Sequence, residues 1–320
     1  MREPVRQPVR QRGREPRRHD LANGDVWRLE AGDYLAEVAS VGATLGRLSW
    51  QGHDLVVPLG DPASPTAYPP AYSGKVLAPW PNRIRDGRYT WDGEDHETAI
   101  TEPATGTALH GLVCWQEWRV VGAPTSARLV LGTDVYPRPG YPYRLGLTLV
   151  ADLDARVGLA VTITARNLGE VDAPYGVAFH PYLRCGDGPI DDCVLDLPAE
   201  TVVTVDHRLL PTGTAPASSE SLDFTTGAAI GARSIDHAVS GLPANGWEAS
   251  LHRPGMPFRT VVRSDTGWVQ LYTGDYLHRA GLAVEPMSCP PDAFNSGDGV
   301  VRLGPGERHT LTVALAAEPT

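Results

Sequence analysis

The amino-acid sequence predicts an all-β protein, built as a large antiparallel β-sandwich. Among its 320 residues, 34 glycines and 29 prolines are scattered between short apolar runs, a pattern typical of many turns that join short strands. Several of these runs alternate apolar and polar residues with a period of two, which favours half-buried strands. No long segment carries a convincing helical period. The number and length of the runs favour a sandwich over an eight-stranded barrel.

The predicted strands follow one another along most of the chain. Residues 34–50 alternate and carry glycines where strands bend. The clearest hairpin turns at residues 152–156, and one face of it is formed by Leu145, Leu147, Leu149, Ala151, Leu159, Val161, Ile163 and Ala165. Further strands are predicted at residues 129–131, 201–205, 258–263, 269–273 and 309–316.

Charge and composition divide the chain into a short tail and one domain. Residues 1–18 carry seven arginines and three prolines against two glutamates, so residues 1–20 are predicted to be a disordered tail. This tail is either an extension without a role, the favoured interpretation, or an arm that touches nucleic acid or an acidic surface. Residues 21–320 show no composition break and are predicted to form one domain. The net charge of −10 argues against nucleic-acid binding by this folded part.

Several classes of protein are disfavoured by what the sequence lacks. No apolar stretch approaches the ~18 residues of a membrane helix, and the N-terminus has no apolar signal segment. The four cysteines form no CxxC pair, and the histidines show neither HxxxH nor HxH spacing, so we predict no metal site and no cofactor. We expect free thiols in a cytoplasmic protein, although the sequence leaves disulfides between some cysteines open.

One segment of the sequence offers an imidazole and a second, distant segment offers a carboxylate. His180 lies in the run Phe-His-Pro-Tyr-Leu, and Glu285 lies between Val284 and Pro286, so both sit in apolar, strand-like sequence. Opening a pyranose hemiacetal requires removal of the C1 hydroxyl proton while the ring oxygen gains a proton. A carboxylate and a protonated imidazole perform both transfers without a metal. Histidine suits the acid role because its reference pKa is ~6.5.

Polar clusters elsewhere supply groups that a sugar site needs. Residues 75–89 contain Trp80, Asn82 and Arg83, which offer a flat apolar face and planar donors for adjacent hydroxyls. His110 precedes Gly111, and this glycine would let a ligand approach closely. Taken singly, each residue also has a structural interpretation. A lone histidine or tryptophan is often part of the core, an arginine is often solvated, and Asp236 alone would be a turn residue.

Five motifs, taken together and in their order along the chain, favour the functional interpretation of these residues over the structural one. The segments Asn82-Arg83-Ile84, Leu109-His110-Gly111, His180-Pro181-Tyr182 and Ile235-Asp236-His237, followed by Glu285-Pro286 with residues 291–295, resemble the aldose 1-epimerase (galactose mutarotase) family from residue 30 to the end. The resemblance implies a supersandwich fold and interconversion of the α and β anomers of free aldohexoses such as glucose and galactose. It makes Glu285 the general base and His180 the general acid. The substrate-binding residues it suggests are Asn82, Arg83, His110, Asp236, Tyr182 and Trp80.

The resemblance leaves sugar specificity and two alternatives open. Leu183 and Leu112 depart from the aromatic residue and the glycine that often follow these motifs in the family. One alternative is a non-catalytic carbohydrate-binding or sensing protein on the same fold, which predicts loss of Glu285 or His180. The other is a mutarotase for phosphorylated or sulfonated hexoses, with Arg85 and Arg88 as candidate cations at the rim. The expected partner is a small monosaccharide, with no membrane and with the oligomeric state undetermined.

Overall fold

The computed structural model describes residues 17–20, 23–59 and 72–320, with side chains from residue 23 onward. Residues 1–16 of the predicted tail lie outside the described residues. The backbone of its last four residues, Arg17–Asp20, forms a strand that pairs with Gly24–Ala31. The strands of the described chain therefore begin before residue 21, where the sequence predicts the domain to start.

The described residues form 28 strands and one short α-helix. In chain order the strands of the first half are β1 (Arg17–Asp20), β2 (Gly24–Ala31), β3 (Tyr34–Ala39), β4 (Thr44–Trp50), β5 (His53–Asp54), β6 (Val76–Leu77), β7 (Arg83–Arg85), β8 (Arg88–Trp91), β9 (Glu94–Glu97), β10 (Thr107–Leu109), β11 (Arg119–Val120), β12 (Arg128–Val135), β13 (Leu145–Asp154) and β14 (Gly158–Asn167). The others are β15 (Ala173–Tyr175), β16 (Ala178–Phe179), β17 (Tyr182–Leu183), β18 (Val194–Asp196), β19 (Thr201–Val205), β20 (Pro211–Pro216), β21 (Ala228–Ala229), β22 (Asp236–Ser240), β23 (Trp247–His252), β24 (Phe258–Ser264), β25 (Trp268–Tyr272), β26 (Leu282–Met287), β27 (Val301–Leu303) and β28 (Arg308–Pro319). The helix α1 spans Ala293–Ser296.

Three larger sheets carry most of these strands, and every pairing between named strands of the described chain is antiparallel. The first sheet runs β1-β2-β3-β4-β5. The second has nine strands in the order β11-β12-β13-β14-β28-β24-β23-β18-β21. The third has eight, ordered β20-β19-β22-β25-β26-β16-β6, with β17 also paired to β26. The pairs β7/β10, β8/β9 and β15/β27 form separate ribbons. The predicted all-β antiparallel class is confirmed.

One continuous core joins the three sheets. Leu48 from the first sheet, Leu147 and Ile163 from the second, and Leu271 and Val284 from the third are each at most 1% exposed and belong to one cluster. Burial of each such side chain stabilises the fold by about 1.5–3 kcal/mol. Since this core lies between sheets, the molecule has the sandwich architecture that the alternating runs predict.

The hairpin predicted from alternation is confirmed with a shorter turn. Strands β13 and β14 pair in unbroken register from Leu145 opposite Asn167 to Asp154 opposite Gly158. The turn is closed by Asp154, whose Oδ1 accepts hydrogen bonds from the backbone N–H of Arg156 at 2.8 Å and from the next residue at 3.2 Å. The alternating stretch 34–50 is also strand, but it divides into β3 and β4 around a turn.

The cysteines and the helices bear on two further sequence predictions. Cys114, Cys185, Cys193 and Cys289 are all buried free thiols, which decides the question that the sequence left open. In the described part of the chain, no helix is long and apolar enough to cross a membrane.

Candidate active site

The third sheet brings the predicted imidazole and carboxylate into direct contact. Strand β16 pairs with β26 on one side of His180, and β17 pairs with the same strand on the other side. Glu285 lies in β26, so its side chain reaches His180, and the His180 Nε2 to Glu285 Oε1 distance is 3.3 Å. The two residues are only 4% and 2% exposed. Two residues more than a hundred positions apart thus form one buried pair.

Burial governs how this pair holds protons. Desolvation lowers the pKa of His180 to about 3. Desolvation also raises the pKa of Glu285 well above its usual value; the negative charge of Asp236 adds to this rise and Arg83 opposes it. Burial therefore favours the uncharged form of each group over its charged form. Within the described chain, His180 Nδ1 and Glu285 Oε2 are buried and have no hydrogen-bond partner, a sign of groups kept for a ligand.

A guanidinium approaches the pair from strand β7. Arg83 is 7% exposed, and Glu102 holds it from the loop before β10, with Nε to Oε2 at 2.7 Å and Nη2 to Oε1 at 3.0 Å. Glu102 also accepts hydrogen bonds from the hydroxyls of Thr105 and Thr107. Burial raises the pKa of Glu102, but the hydrogen bond and charge of Arg83 outweigh it and the pKa is lowered. Glu102 is therefore a carboxylate that fixes the orientation of Arg83.

A hydrogen-bonded chain of side chains links Arg83 to Asp236. Arg83 Nη1 donates to Asn82 Oδ1 at 3.2 Å, and Asn82 Nδ2 donates to Gln270 Oε1 at 3.2 Å. Gln270 Nε2 in turn donates to Asp236 Oδ1 at 2.6 Å. Asp236 Oδ2 lies 3.9 Å from Arg83 Nη2, which closes the ring. Gln270 stands opposite Glu285 in the β25/β26 register, so this chain borders the His180–Glu285 pair.

Asn82 and His110 hold each other in an uncommon backbone conformation. Both have positive φ, 54° and 62°. The N–H of His110 donates to Asn82 O at 2.8 Å, and the N–H of Asn82 donates to His110 Nδ1 at 3.2 Å. Because Nδ1 accepts, a neutral His110 carries its proton on Nε2. Burial first, and then the neighbouring His180, lower the pKa of His110 well below its usual value, which keeps the ring neutral.

Gly111 has a different role from the one expected. A Cβ at this position would lie 2.2 Å from the carbonyl oxygen of Ala78, and its φ is 71°. The glycine therefore accommodates a neighbouring backbone segment of the protein rather than a ligand.

The two predicted aromatic residues are placed differently. Tyr182 is 1% exposed and stacks on the His180 ring, with centroids 5.1 Å apart and an interplanar angle of 18°. Trp80 is 3% exposed, donates its indole N–H to Ala108 O at 3.2 Å, and packs against Phe294 at 5.9 Å. The expectation that Trp80 offers a flat face to a sugar is therefore corrected, because its ring lies within the core cluster.

The candidate rim cations are each paired with a carboxylate. Arg85 Nε lies 3.2 Å from Asp292 Oδ2, and Arg88 Nη2 lies 3.1 Å from Glu97 Oε2. Both guanidinium groups are thus matched by a negative charge on the protein itself. The special recognition of an anionic sugar that these two residues suggest gains no support from their contacts.

Sequence reasoning missed Gln270 and Glu102. Gln270 is 3% exposed in the structure. The signal that could have identified it is a single amide within the apolar strand predicted at residues 269–273, because a polar residue in such a strand is costly to bury. Glu102 lies in a polar loop and nothing in the sequence marks it. In the described residues, no group of three or more histidine, cysteine or acidic side chains is arranged to hold a metal ion. The site is suited to proton transfer between two adjacent groups, with donors and an acceptor arranged around them.

Comparison with known proteins places this site in context. The sequence model of the aldose 1-epimerase family matches residues 25–316. An uncharacterized Escherichia coli protein, YihR, is 41% identical over 290 residues, which cover 90% of this chain and 92% of that protein. Human galactose mutarotase is 24% identical over 270 residues, 75% of this chain and 77% of that protein.

Solved structures share the fold. The GalM/aldose epimerase homologue from Caenorhabditis elegans superimposes with a TM-score of 0.82 at 17% identity, covering 92% of this chain and 99% of that one. Galactose 1-epimerase from Lactobacillus acidophilus superimposes with a TM-score of 0.77 at 21% identity, covering 93% and 96%. At these identities the likeness concerns the fold.

Proposed function

The chain belongs to the aldose 1-epimerase family, and from this premise we propose that it interconverts the α and β anomers of free aldohexoses such as glucose and galactose. One observation carries the proposal. His180 and Glu285 lie side by side, 3.3 Å apart, in a buried site. The C1 hydroxyl oxygen and the ring oxygen of a pyranose are both bonded to C1, so a base for the first and an acid for the second must be neighbours.

The proposed reaction moves two protons and breaks one bond. The carboxylate of Glu285 accepts the C1 hydroxyl proton, and the imidazolium of His180 gives its proton to the ring oxygen as the C1 to ring-oxygen bond breaks. The resulting aldehyde rotates about C1–C2 and presents its other face. Closure reverses both transfers, with Glu285 as the acid and His180 as the base, and leaves the opposite anomer.

Burial of the pair favours the two proton transfers of ring opening once the charged form of the pair is present. The closed sugar requires the charged pair, carboxylate and imidazolium, while the open sugar leaves both groups neutral. Desolvation lowers the pKa of His180 and raises that of Glu285, so the neutral pair is the more stable one. Proton transfer from His180 to the ring oxygen and from the C1 hydroxyl to Glu285 therefore removes two buried charges. The charged pair and the neutral pair hold the same total number of protons. A proton that moves between His180 Nε2 and Glu285 Oε1, which lie 3.3 Å apart, therefore converts one form into the other.

The surrounding groups supply hydroxyl ligands. The guanidinium of Arg83 has five N–H bonds, of which three point to Glu102 and Asn82. One N–H on each terminal nitrogen is left for adjacent sugar hydroxyls. His110 contributes an Nε2 donor and Asp236 a carboxylate acceptor. This arrangement supports recognition of a polar, uncharged ring.

The test is anomer exchange on freshly dissolved α-glucose and α-galactose. Polarimetry follows the approach to equilibrium, and exchange NMR at saturating sugar measures turnover after correction for spontaneous mutarotation. We expect exchange well above the spontaneous rate, and we expect the His180→Asn variant to lose it. If the protein binds sugar in calorimetry but leaves the spontaneous rate unchanged, it is a sugar-binding protein and the catalytic proposal is wrong.

A further inference from the structure

Lys75 is a buried cation that the proposed chemistry does not use. It is the only lysine among the 320 residues, whereas the chain has many arginines. Its side chain is fully buried, and Nζ lies 3.3 Å from Val41 O, 3.2 Å from Thr44 Oγ1 and 4.3 Å from the centroid of the Trp115 ring. These partners are neutral, so the ammonium is held by dipoles and by an aromatic face.

A series of ring contacts connects the indole that lies over Lys75 to His180. Trp115 is 48% exposed, and its ring centroid lies 5.4 Å from that of Tyr72. Tyr72 meets His110 edge-on at 4.5 Å, and His110 meets His180 at 5.6 Å. We call Tyr72 and Trp115 the rim wall. It extends from His110, which contacts His180, to the half-exposed Trp115.

The backbone of Lys75 joins the same two features. Its carbonyl oxygen accepts the N–H of His180 at 3.1 Å, and its own N–H donates to the carbonyl of Tyr72 at 3.1 Å. Gly42 makes room for the ammonium, because a Cβ there would lie 3.0 Å from Lys75 Nζ and 2.3 Å from the carbonyl oxygen of Cys114. Lys75 thus contacts Trp115 through its side chain, and it contacts Tyr72 and His180 through its backbone.

We propose that the rim wall binds the apolar C–H face of the sugar ring, and that Lys75 is a positioning residue that orients Trp115 for this contact. The inference rests on the proposed function, for which it names the apolar subsite. Sugar sites pair polar donors with a flat aromatic surface, and the Trp80 ring packs instead against Tyr141 and Phe294 in the core cluster. A cation fixed against one side of the indole restricts the ring's orientation, which lowers the entropy lost on binding.

The first test separates binding from chemistry. We expect Trp115→Ala to raise KM about 5–10-fold with kcat changed less than about twofold, because the wall touches the sugar and not the transferred protons. Lys75→Met keeps a long unbranched side chain and removes the charge, and we expect it to raise KM about threefold. If Lys75 acts through Trp115, the double variant is no worse than Trp115→Ala alone.

A matched control comes from a second cation over an indole. Arg302 lies 4.3 Å from the Trp91 ring centroid, the same distance as in the Lys75 pair, but it contacts none of the site residues named above. Arg302→Met should therefore leave KM unchanged. A comparable rise in KM for this variant would show that the effect is a general loss of stability and would overturn the role of Lys75.

The pH dependence of KM gives a test without substitution. Burial lowers the pKa of Lys75 to about 8, with the Cys114 thiol opposing the shift. Burial raises the pKa of that thiol to about 11 and raises the pKa of Tyr72, so neither facing group ionises first. KM of the wild-type protein should rise between pH 7 and 9 as the ammonium is lost, and KM of Lys75→Met should stay flat. Identical profiles for the two proteins would overturn the inference, as would an unchanged KM for Trp115→Ala.

Failure of the proposed function can be distinguished from failure of the rim-wall proposal. If the wild-type protein does not exchange anomers, sugar affinity measured by calorimetry takes the place of KM in each comparison. An affinity that falls in Trp115→Ala then supports the wall although the catalytic proposal has failed. An affinity unchanged in Trp115→Ala, in a wild-type protein that binds sugar, removes the wall whichever way the exchange assay turns out.

Discussion

Substitution of Glu285 by glutamine separates catalysis from stability. The residue is 2% exposed in the middle of β26, so any change in its volume would disturb the core. Glutamine has nearly the shape of a protonated glutamate, the form that burial favours at this position. The Glu285→Gln variant should therefore fold normally and bind sugar with an affinity within about threefold of wild type, because the ligands around it are retained.

The expected loss of turnover follows from the role of the carboxylate. An amide cannot accept the C1 hydroxyl proton, and a positioned base contributes about 10²–10⁴-fold. A hundredfold loss in kcat corresponds to about 2.7 kcal/mol of transition-state stabilisation. His180→Asn should cost a similar factor. The double variant should be little worse than the worse single variant, because both groups act on the same barrier.

Stability should change in the opposite direction. The pKa of Glu285 in the folded protein lies above its unfolded value, so the folded state binds more protons and wild-type stability falls as pH rises through the unfolded pKa toward the folded one. Glutamine removes this penalty, so the melting temperature at pH 7 should equal or exceed that of wild type.

Three measurements on one sample of Glu285→Gln test these predictions. Exchange NMR at saturating sugar measures turnover, calorimetry measures sugar affinity, and thermal unfolding measures stability. A variant that exchanges anomers at the wild-type rate would show that the carboxylate is structural. A variant that melts several degrees lower and no longer binds sugar would refute the argument that the buried pair is neutral.

Three further outcomes are expected. The ring signals of His180 should show no titration between pH 5 and 8 in NMR, because burial lowers the pKa to about 3, and a midpoint near the usual value of ~6.5 would contradict this. Arg83→Ala should weaken sugar affinity at least about tenfold and lower stability by about 1–3 kcal/mol, since it also leaves Glu102 partly buried without its cation. Arg85→Ala should leave affinity unchanged, because Arg85 pairs with Asp292 outside the hydrogen-bonded chain that runs from Arg83 to Asp236. Gln270→Ala should lower sugar affinity by a factor similar to that of Arg83→Ala, because Asn82 and Asp236 lose their shared hydrogen-bond partner. An unchanged sugar affinity in calorimetry would show that Gln270 is not part of the site.

The sequence was a sufficient guide wherever the information was local. Alternation with a period of two is a property of neighbouring residues, so the β13/β14 hairpin and strands such as β19 and β24 were predicted within a few residues of their bounds. The chemistry of single side chains is also local. The imidazole of His180 and the carboxylate of Glu285 are predicted site groups because such groups transfer protons and because the motifs around them resemble one family.

Tertiary structure decided which groups meet and what their surroundings do to them. The pairing of β16 and β17 with β26 joins residues about a hundred positions apart, and no local pattern encodes it. Gln270 and Glu102 matter only through partners on other strands and loops, so their roles depend on packing. Trp80 and Trp115 are the same residue type, yet one lies in the core and the other is half exposed beside Tyr72.

The protonation of His180 and Glu285 shows the difference most clearly. Reference pKa values taken with the sequence alone put the proton on His180 and leave Glu285 charged. Burial reverses that order, because removing water penalises the charged form of each group. Residue types therefore determined that proton transfer is available in this protein, and the fold determined where the proton rests, because desolvation is a property of the packed structure and not of the chain.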